Sequence, residues 1–359
     1  MTKASPSRGL SLAAIAAAVF LANCAKPEPE APPAAPPPPP PVSLNEGVAQ
    51  AASVYVAFLR DAQTIQPGGF TDAESIQAAI RKGAAYEPAQ LSRGLIAYGS
   101  IIALQSPEFV AGVRQFAVDP AQRQQVVAQI VADPAYAATL PGAAAAAGLI
   151  AATVGRDATA MVAIADGIEN DAYTIQERND PRRRWATTHL TEREARLEAA
   201  KSVSIAQMLP SADDSARLFT AANAGTGLTV EAGSSSPPYT PAVVRSLAIA
   251  VLAALGAGGD EARANTEALT VETNNEFCLN MSKLMLYQCL AASRPSYEDM
   301  FCLGRHVVRD VASCTTTAVL SPIITVGDPQ ETGVTPAASA AQTAVAVTPA
   351  PTQTPAPSN

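Results

Sequence analysis

"CLNMSKLMLYQCLAASRPSYEDMFCLGRHVVRDVASC" (278–314) holds four of the five cysteines of this 359-residue chain, at intervals of 11, 13 and 12. The first part, 278–289, has no Gly or Pro, and Cys278, Met281, Met285 and Cys289 recur at helical spacing. On one helix Cys278 and Cys289 stand ~16 Å apart. A disulfide needs Cα atoms roughly 4.4–6.8 Å apart, so these two cannot pair. A second helix begins near Pro295, with Ser296, Glu298 and Asp299 suited to an N-terminus. Met300, Leu303, Val307, Val311 and Cys314 form its apolar stripe. Two helices on a short connection lie antiparallel. That geometry brings Cys289 to Cys302 and Cys278 to Cys314, whereas the crossed pairing needs parallel helices. The stretch predicts a helical hairpin with two nested staples.

The hairpin resembles the twin-cysteine helical hairpins of the mitochondrial intermembrane space, in which two cysteines per helix are bridged in the same nested way. The likeness covers only 278–314, and its intervals are longer than theirs, so it reads as convergence on one geometry. A zinc site draws on close pairs such as C-x-x-C, and none occurs here. Redox catalysis lacks the same motif. The cysteines are structural, and paired structural cysteines belong in an oxidising compartment.

The other end of the chain agrees. "MTKASPSRGLSLAAIAAAVFLANC" (1–24) has Lys3 and Arg8, then an apolar run from Leu10 to Leu21, too short to span a bilayer. Ending in Leu21-Ala22-Asn23-Cys24, it resembles a bacterial lipoprotein signal, although Asn23 stands where Gly, Ala or Ser is usual. The resemblance implies cleavage before Cys24 and lipid acylation of Cys24, with the membrane as first partner. Ala25 is not the aspartate that favours retention at the inner membrane, so it implies the outer membrane, facing the periplasm. Five cysteines then divide into one anchor and two bridges. The whole chain has the look of a bacterial envelope lipoprotein.

Residues 24–44 follow as anchor and linker, with "PEPEAPPAAPPPPPP" at 27–41. As polyproline II, fifteen residues at ~3.1 Å each would stand the body off by ~45 Å. Residues 323–359 are Ala-, Thr- and Pro-rich and are expected to be disordered, because they cannot bury enough apolar surface to offset ordering.

Between the ends the sequence reads all-α: a body over 45–222, a loop or boundary at 223–241, and a C-terminal part at 242–322 carrying the hairpin. "EGVAQAASVYVAFLRDAQ" (46–63) and "EPAQLSRGLIAYGSIIAL" (87–104) repeat apolar residues at three and four. Ser106-Pro107, Asp119-Pro120 and Asp133-Pro134 each set a capping oxygen before a proline. The stretches 142–155 and 246–259 are apolar nearly all round and shorter than a membrane span, which predicts central core helices. Gly, Ser and Pro crowd 223–241, with room for a short strand around Leu228–Glu231.

With 48% hydrophobic residues, a net charge of -8 and a pI near 4.9, the chain is a poor match for nucleic acid. No motif for a cofactor, a phosphate loop or a nucleophile elbow occurs. His189 and Glu192 at i and i+3 read as a solvated helix face, and His306 with Asp310 as a surface pair. Glu169 and Glu276 are the least arbitrary carboxylates for a glycan-cleaving enzyme. "NDPRRRWATTHL" (179–190) sets Arg182, Arg183 and Arg184 beside the only tryptophan, Trp185. Arg and Trp are favoured at recognition sites, so these four are candidate binding residues for an acidic envelope protein or peptidoglycan. Nearby acids and the core offer them structural roles instead. The leading function is a non-catalytic structural or interaction component of the envelope. The alternative is a peptidoglycan-processing or other envelope hydrolase using carboxylates.

Overall fold

The computed structural model describes residues 38–178 and 181–320. The signal segment, Cys24, the tract before residue 38 and the tail after residue 320 lie outside them. Helices α1 (Glu46–Gln63), α2 (Ala73–Ala84), α3 (Pro88–Ala103), α4 (Pro107–Arg114) and α5 (Pro120–Ala132) lead to the long α6 (Ala143–Glu177). Then come α7 (Arg184–Thr187), α8 (Arg193–Ser204), α9 (Ala212–Ala224), α10 (Pro241–Ala254) and α11 (Arg263–Leu269). The stapled region is α12 (Thr273–Ala292), α13 (Ser296–Leu303) and α14 (Asp310–Leu320), with a π-turn at Gly304–Arg309 between the last two. The protein is all-α: among the described residues the only β contacts are isolated bridges, Leu44 with Gly258 and His189 with Pro295.

Local chemistry sets the boundaries. Ser106 and Asp119 accept from Phe109 N and Ala121 N to cap α4 and α5 ahead of their prolines. Asp133 caps a 3-10 turn, Pro134–Thr139, instead of an α-helix. Asn45 starts α1 by accepting from Val48 N, while its amide donates to Gly258 O and Thr266 Oγ1, each at 2.9 Å. With Ser43 N bound to Ala253 O, the incoming chain is sewn to the far side of α10.

α10 is the core helix its composition predicts, buried without a break from Ser246 through Ala254. It ends before Gly256, whose φ of +70° turns the chain out of the helix. Gly99 lets α3 approach closely, since a Cβ there would lie 2.5 Å from Ser246 Oγ. The apolar start at 142–155 is also buried on one side, but its helix runs on to Glu177, 35 residues in all. α6 is thus long and apolar enough by composition to cross a membrane. Here Val154, Ala158, Met161, Ala165, Ile168, Ala172 and Ile175 form a buried seam at alternating steps of four and three, the spacing of helix-on-helix packing. The second arm of the hairpin packs along α6.

Within 223–241 the ends belong to α9 and α10, and residues 225–240 form a non-helical strap against α6 without a strand ladder. Glu231 N donates to Thr153 Oγ1 (2.9 Å), Ser235 N to Ala144 O (3.3 Å), and Glu231 pairs with Arg156 (2.6 Å). Gly233 crosses Gly148 so closely that a Cβ on Gly148 would sit 2.3 Å from the Gly233 carbonyl oxygen.

Both staples form as nested pairs, Cys278–Cys314 and Cys289–Cys302, each with Cα atoms 5.7 Å apart. The predicted stripe of the second arm is buried throughout, from Met300 to Cys314. The first arm differs: Cys278 and Cys289 face the second arm, whereas Met285 turns out to solvent. The π-turn explains how unequal spacings match. At about 100° per residue, 11 residues return to within about 20° of the same direction, but 12 overshoot to about 120°. A π-turn absorbs one extra residue. It restores Cys302 and Cys314 to one side of their helix, facing the pair on α12.

Candidate functional site

The closed end of the hairpin gathers most of the polar chemistry. Asp299, in the first turn of α13, is fully buried. Its Oδ2 accepts from Gln77 Nε2 of α2 (2.6 Å) and from Arg196 Nη1 of α8, and its Oδ1 accepts from Ser293 Oγ (2.5 Å). Burial pushes this carboxyl up, while Ser293, Arg196 and Gln77 draw it back down. Four separate segments meet at one carboxylate. Outside it, a cleft of about 320 Å³ opens between α2 and α8, with Arg196 and Gln77 in its wall and the Glu74–Arg81 pair (2.5 Å) at its edge.

Arg182–Trp185 lie beside this end, on a 3-10 turn and α7. Arg183 pairs with Asp171 of α6 at 3.2 Å, and Trp185 packs partly into the core. Arg182 is partnered as well. Arg184 is exposed. Two of the four candidate binding residues, Arg183 and Trp185, thus carry visible structural duties. Tyr173 and Phe301 make an edge-on ring contact (centroids 5.7 Å apart) between α6 and α13.

His189 and Glu192 do not share a helix face. His189 bridges Pro295 in an extended segment, and Glu192 stands at the N-cap position of α8. His306 Nδ1 and Asp310 Oδ2 are 3.1 Å apart, as the i, i+4 spacing predicts. Glu169 is held by Arg309 of the π-turn (2.7 Å), which also pairs with Asp166. That clamp fixes the π-turn to α6. Glu276 lies in the first turn of α12, where an acid complements the helix dipole. Among the described residues no three His, Cys, Asp or Glu side chains come together as a metal site.

One buried cation escaped the sequence reading. Lys283 of α12 donates to Ala84 O, the last carbonyl of α2, at 2.9 Å, and its Nζ lies 3.9 Å from the Tyr86 ring centroid. The carbonyl and ring face favour the ammonium, yet burial pushes its pKa down to about 7. Unfolded, the amine titrates near 10.5, so between about 7 and 10.5 the unfolded chain holds a proton that the folded one lacks. Stability then rises with pH across that window, by up to about 1.4 kcal/mol per unit. Lys283→Met removes the group. The stability difference, variant minus wild type, is expected to fall steadily from about pH 7 to about pH 10 in paired urea titrations. A difference independent of pH would show that the ammonium stays charged in the fold.

Last, the outward face of α12 carries exposed apolar side chains among neutral polar ones. Phe277, Leu284 and Met285 are exposed on it, with Met281 partly covered between them. The inward face holds Leu279, Leu286 and Leu290. The signal was present in the sequence as two apolar stripes on one helix. Compared with protein-family models, with curated proteins and with solved structures, the chain finds no match.

Proposed function

We propose that the chain is a non-catalytic structural or interaction component of the bacterial envelope, anchored through acylated Cys24 and facing the periplasm from the outer membrane. The observation that carries this reading is a rigid, doubly stapled helix that presents an apolar face to solvent. A helix apolar on both sides is built to be covered on both. The two disulfides support export, because they persist in oxidising compartments. The hydrolase alternative needs a carboxyl that can hold a proton. Glu169 is instead taken up by Arg309 of the π-turn, at 2.7 Å, in the clamp that ties that turn to α6.

Photo-cross-linking in intact cells from Gln288, exposed on the same face of α12, tests the interaction. A stoichiometric protein adduct is expected. Glycan fragments without attached protein would favour the hydrolase. For the anchor, Cys24→Ser is expected to abolish incorporation of labelled fatty acid and to move the protein from the membrane to the soluble periplasmic fraction. Unchanged membrane association with no lipid on the wild type would remove the lipoprotein reading.

A further inference from the structure

We propose that residues 34–37, the stretch just ahead of the described chain, dock on the body itself, in a groove between α5 and the turn that follows α10. The docking goes beyond the reading above and stands without it. Only its use, setting the length of the anchor, rests on that reading.

The groove has a volume of about 650 Å³. α5 sends Val126 and Ile130 into the core. One residue on, Val127 and Val131 make a second apolar stripe that lines the groove, facing Leu255 beyond the end of α10. Val131 is 43% exposed. The charged residues of the lining are one of each sign, Arg123 and Glu261. Such a groove selects for apolar shape and offers nothing to a strongly charged partner.

The chain itself supplies part of the wall. Pro40 lines the groove, and its place is fixed on every side. Arg114 Nη1 donates to Pro40 O (2.9 Å) and to Ala254 O at the end of α10 (3.2 Å). The Pro40 ring lies on Gly256, where a Cβ would come within 2.7 Å of Pro40 Cβ. Further along, Ser43 N donates to Ala253 O (3.0 Å). From Pro40 onwards the linker is therefore part of the body, and the tract before it departs from the groove.

Polyproline II repeats every three residues. Pro38 and Pro39 are exposed and Pro40 is partly buried, the pattern of such a helix resting on one edge. Continued backwards, the same edge carries Pro37 and Ala34. α5 lines the groove from Arg123 to Ala132, about 13.5 Å at 1.5 Å per residue. At ~3.1 Å per residue that length takes about four residues of polyproline II, Ala34 to Pro37. They are uncharged and apolar, as the groove requires. A proline-rich segment is already extended, so little entropy opposes its docking.

Continuity selects this occupant over a separate one. A segment joined to the groove through Pro38 and Pro39 meets it at an effective concentration in the mM range. A second copy or another protein would have to displace it. With 34–37 docked, an anchor at Cys24 keeps ten free residues (24–33) instead of fourteen (24–37). Its reach falls from about 43 Å to about 31 Å. The groove thus gives the anchor a short form and a long one.

Thiol alkylation tests the docking on the full chain from residue 24 with its disulfides intact, carrying Cys24→Ser so that no lipid is needed. Val131→Cys and Ala128→Cys, one at a time, each place a thiol in the groove. Alkylation by iodoacetamide is expected to be about ten-fold slower with the native linker than with residues 27–37 replaced by a Gly/Ser segment of equal length. At an effective concentration in the mM range, an affinity of ~0.1 mM keeps the segment docked about ten times as often as not. Gln129→Cys, exposed on α5 outside the groove, should react equally in both chains. Equal rates at 128 and 131 with either linker would overturn the inference. So would protection that grows with protein concentration, which would give the groove to a second copy, or protection that persists with the Gly/Ser segment. Because no lipid is involved, failure here leaves the anchor reading standing, and a wild type without lipid at Cys24 leaves this result unchanged.

Discussion

Replacing Cys278 and Cys314 together by serine is expected to lower the unfolding free energy by about 4 kcal/mol, and replacing Cys289 and Cys302 by about 3 kcal/mol. The outer staple closes a loop of 36 residues and the inner one of 13, and the longer loop restricts the unfolded chain more. The position of the hairpin adds to the contrast. Cys314 sits on α14, which packs along α6, so loosening the outer staple frees the open end of the hairpin from the central helix. Cys289 and Cys302 flank a turn already fixed by Ser293, Asp299 and Arg196. Urea midpoints of the two double variants, compared with wild type at unchanged slope, give the values. Equal small losses below about 1 kcal/mol would mean that helix packing alone sets the hairpin and that the staples serve some other purpose.

The cysteine spacings show how much of this was legible in the sequence. Antiparallel pairing followed from the short connection between the arms and the absence of Gly or Pro from 278–289. The π-turn did not, although its trace was there: intervals of 11 and 12 cannot both keep one face of an α-helix. The one-residue excess had to be absorbed somewhere between Cys302 and Cys314. The structure puts it at Gly304–Arg309, where Gly304 lies against α6 and the carbonyl of His306 accepts from Ser282 Oγ at 2.9 Å. Helix starts at Ser106 and Asp119 were equally legible, because a cap and its proline are adjacent in the chain. Asp133 was not, since whether a capped turn continues as α or 3-10 is decided by what packs over it.

Long-range partners lay beyond reach for a physical reason. Nothing in "NMSKLML" marks Lys283 as buried until α2 is placed with its C-terminus against it. Met281 and Met285 were visible as members of one helical stripe with Cys278 and Cys289. Only the position of the second arm shows that Cys278 and Cys289 alone turn inwards there. Of the arginine cluster, the sequence suggested acids nearby at Glu177, Asp180, Glu192 and Glu194. The partner found for Arg183 is Asp171, further back on α6, on a face that helix periodicity had not tied to the turn.

The same distance from sequence applies to Asp299, and here the expected effect is large. Asp299→Ala should cost about 3–5 kcal/mol, because it leaves the guanidinium of Arg196 largely buried without its counter-charge. The change also strips an acceptor from Gln77 and from Ser293. Removing both charges is a different matter. A buried pair exchanged for apolar side chains of similar volume is often near neutral, so Asp299→Leu with Arg196→Met should recover at least about 2 kcal/mol of the single variant's loss. Urea unfolding of Asp299→Leu alone, Arg196→Met alone and the two together completes a thermodynamic cycle, and residues this close are expected to couple. A cycle that closes additively would show that Arg196 is solvated on its own in the fold and that α8 is attached by packing alone. A coupled cycle means the carboxylate joins α2, α8 and the hairpin turn. The closed end of the hairpin is then braced by a charge as well as by sulfur.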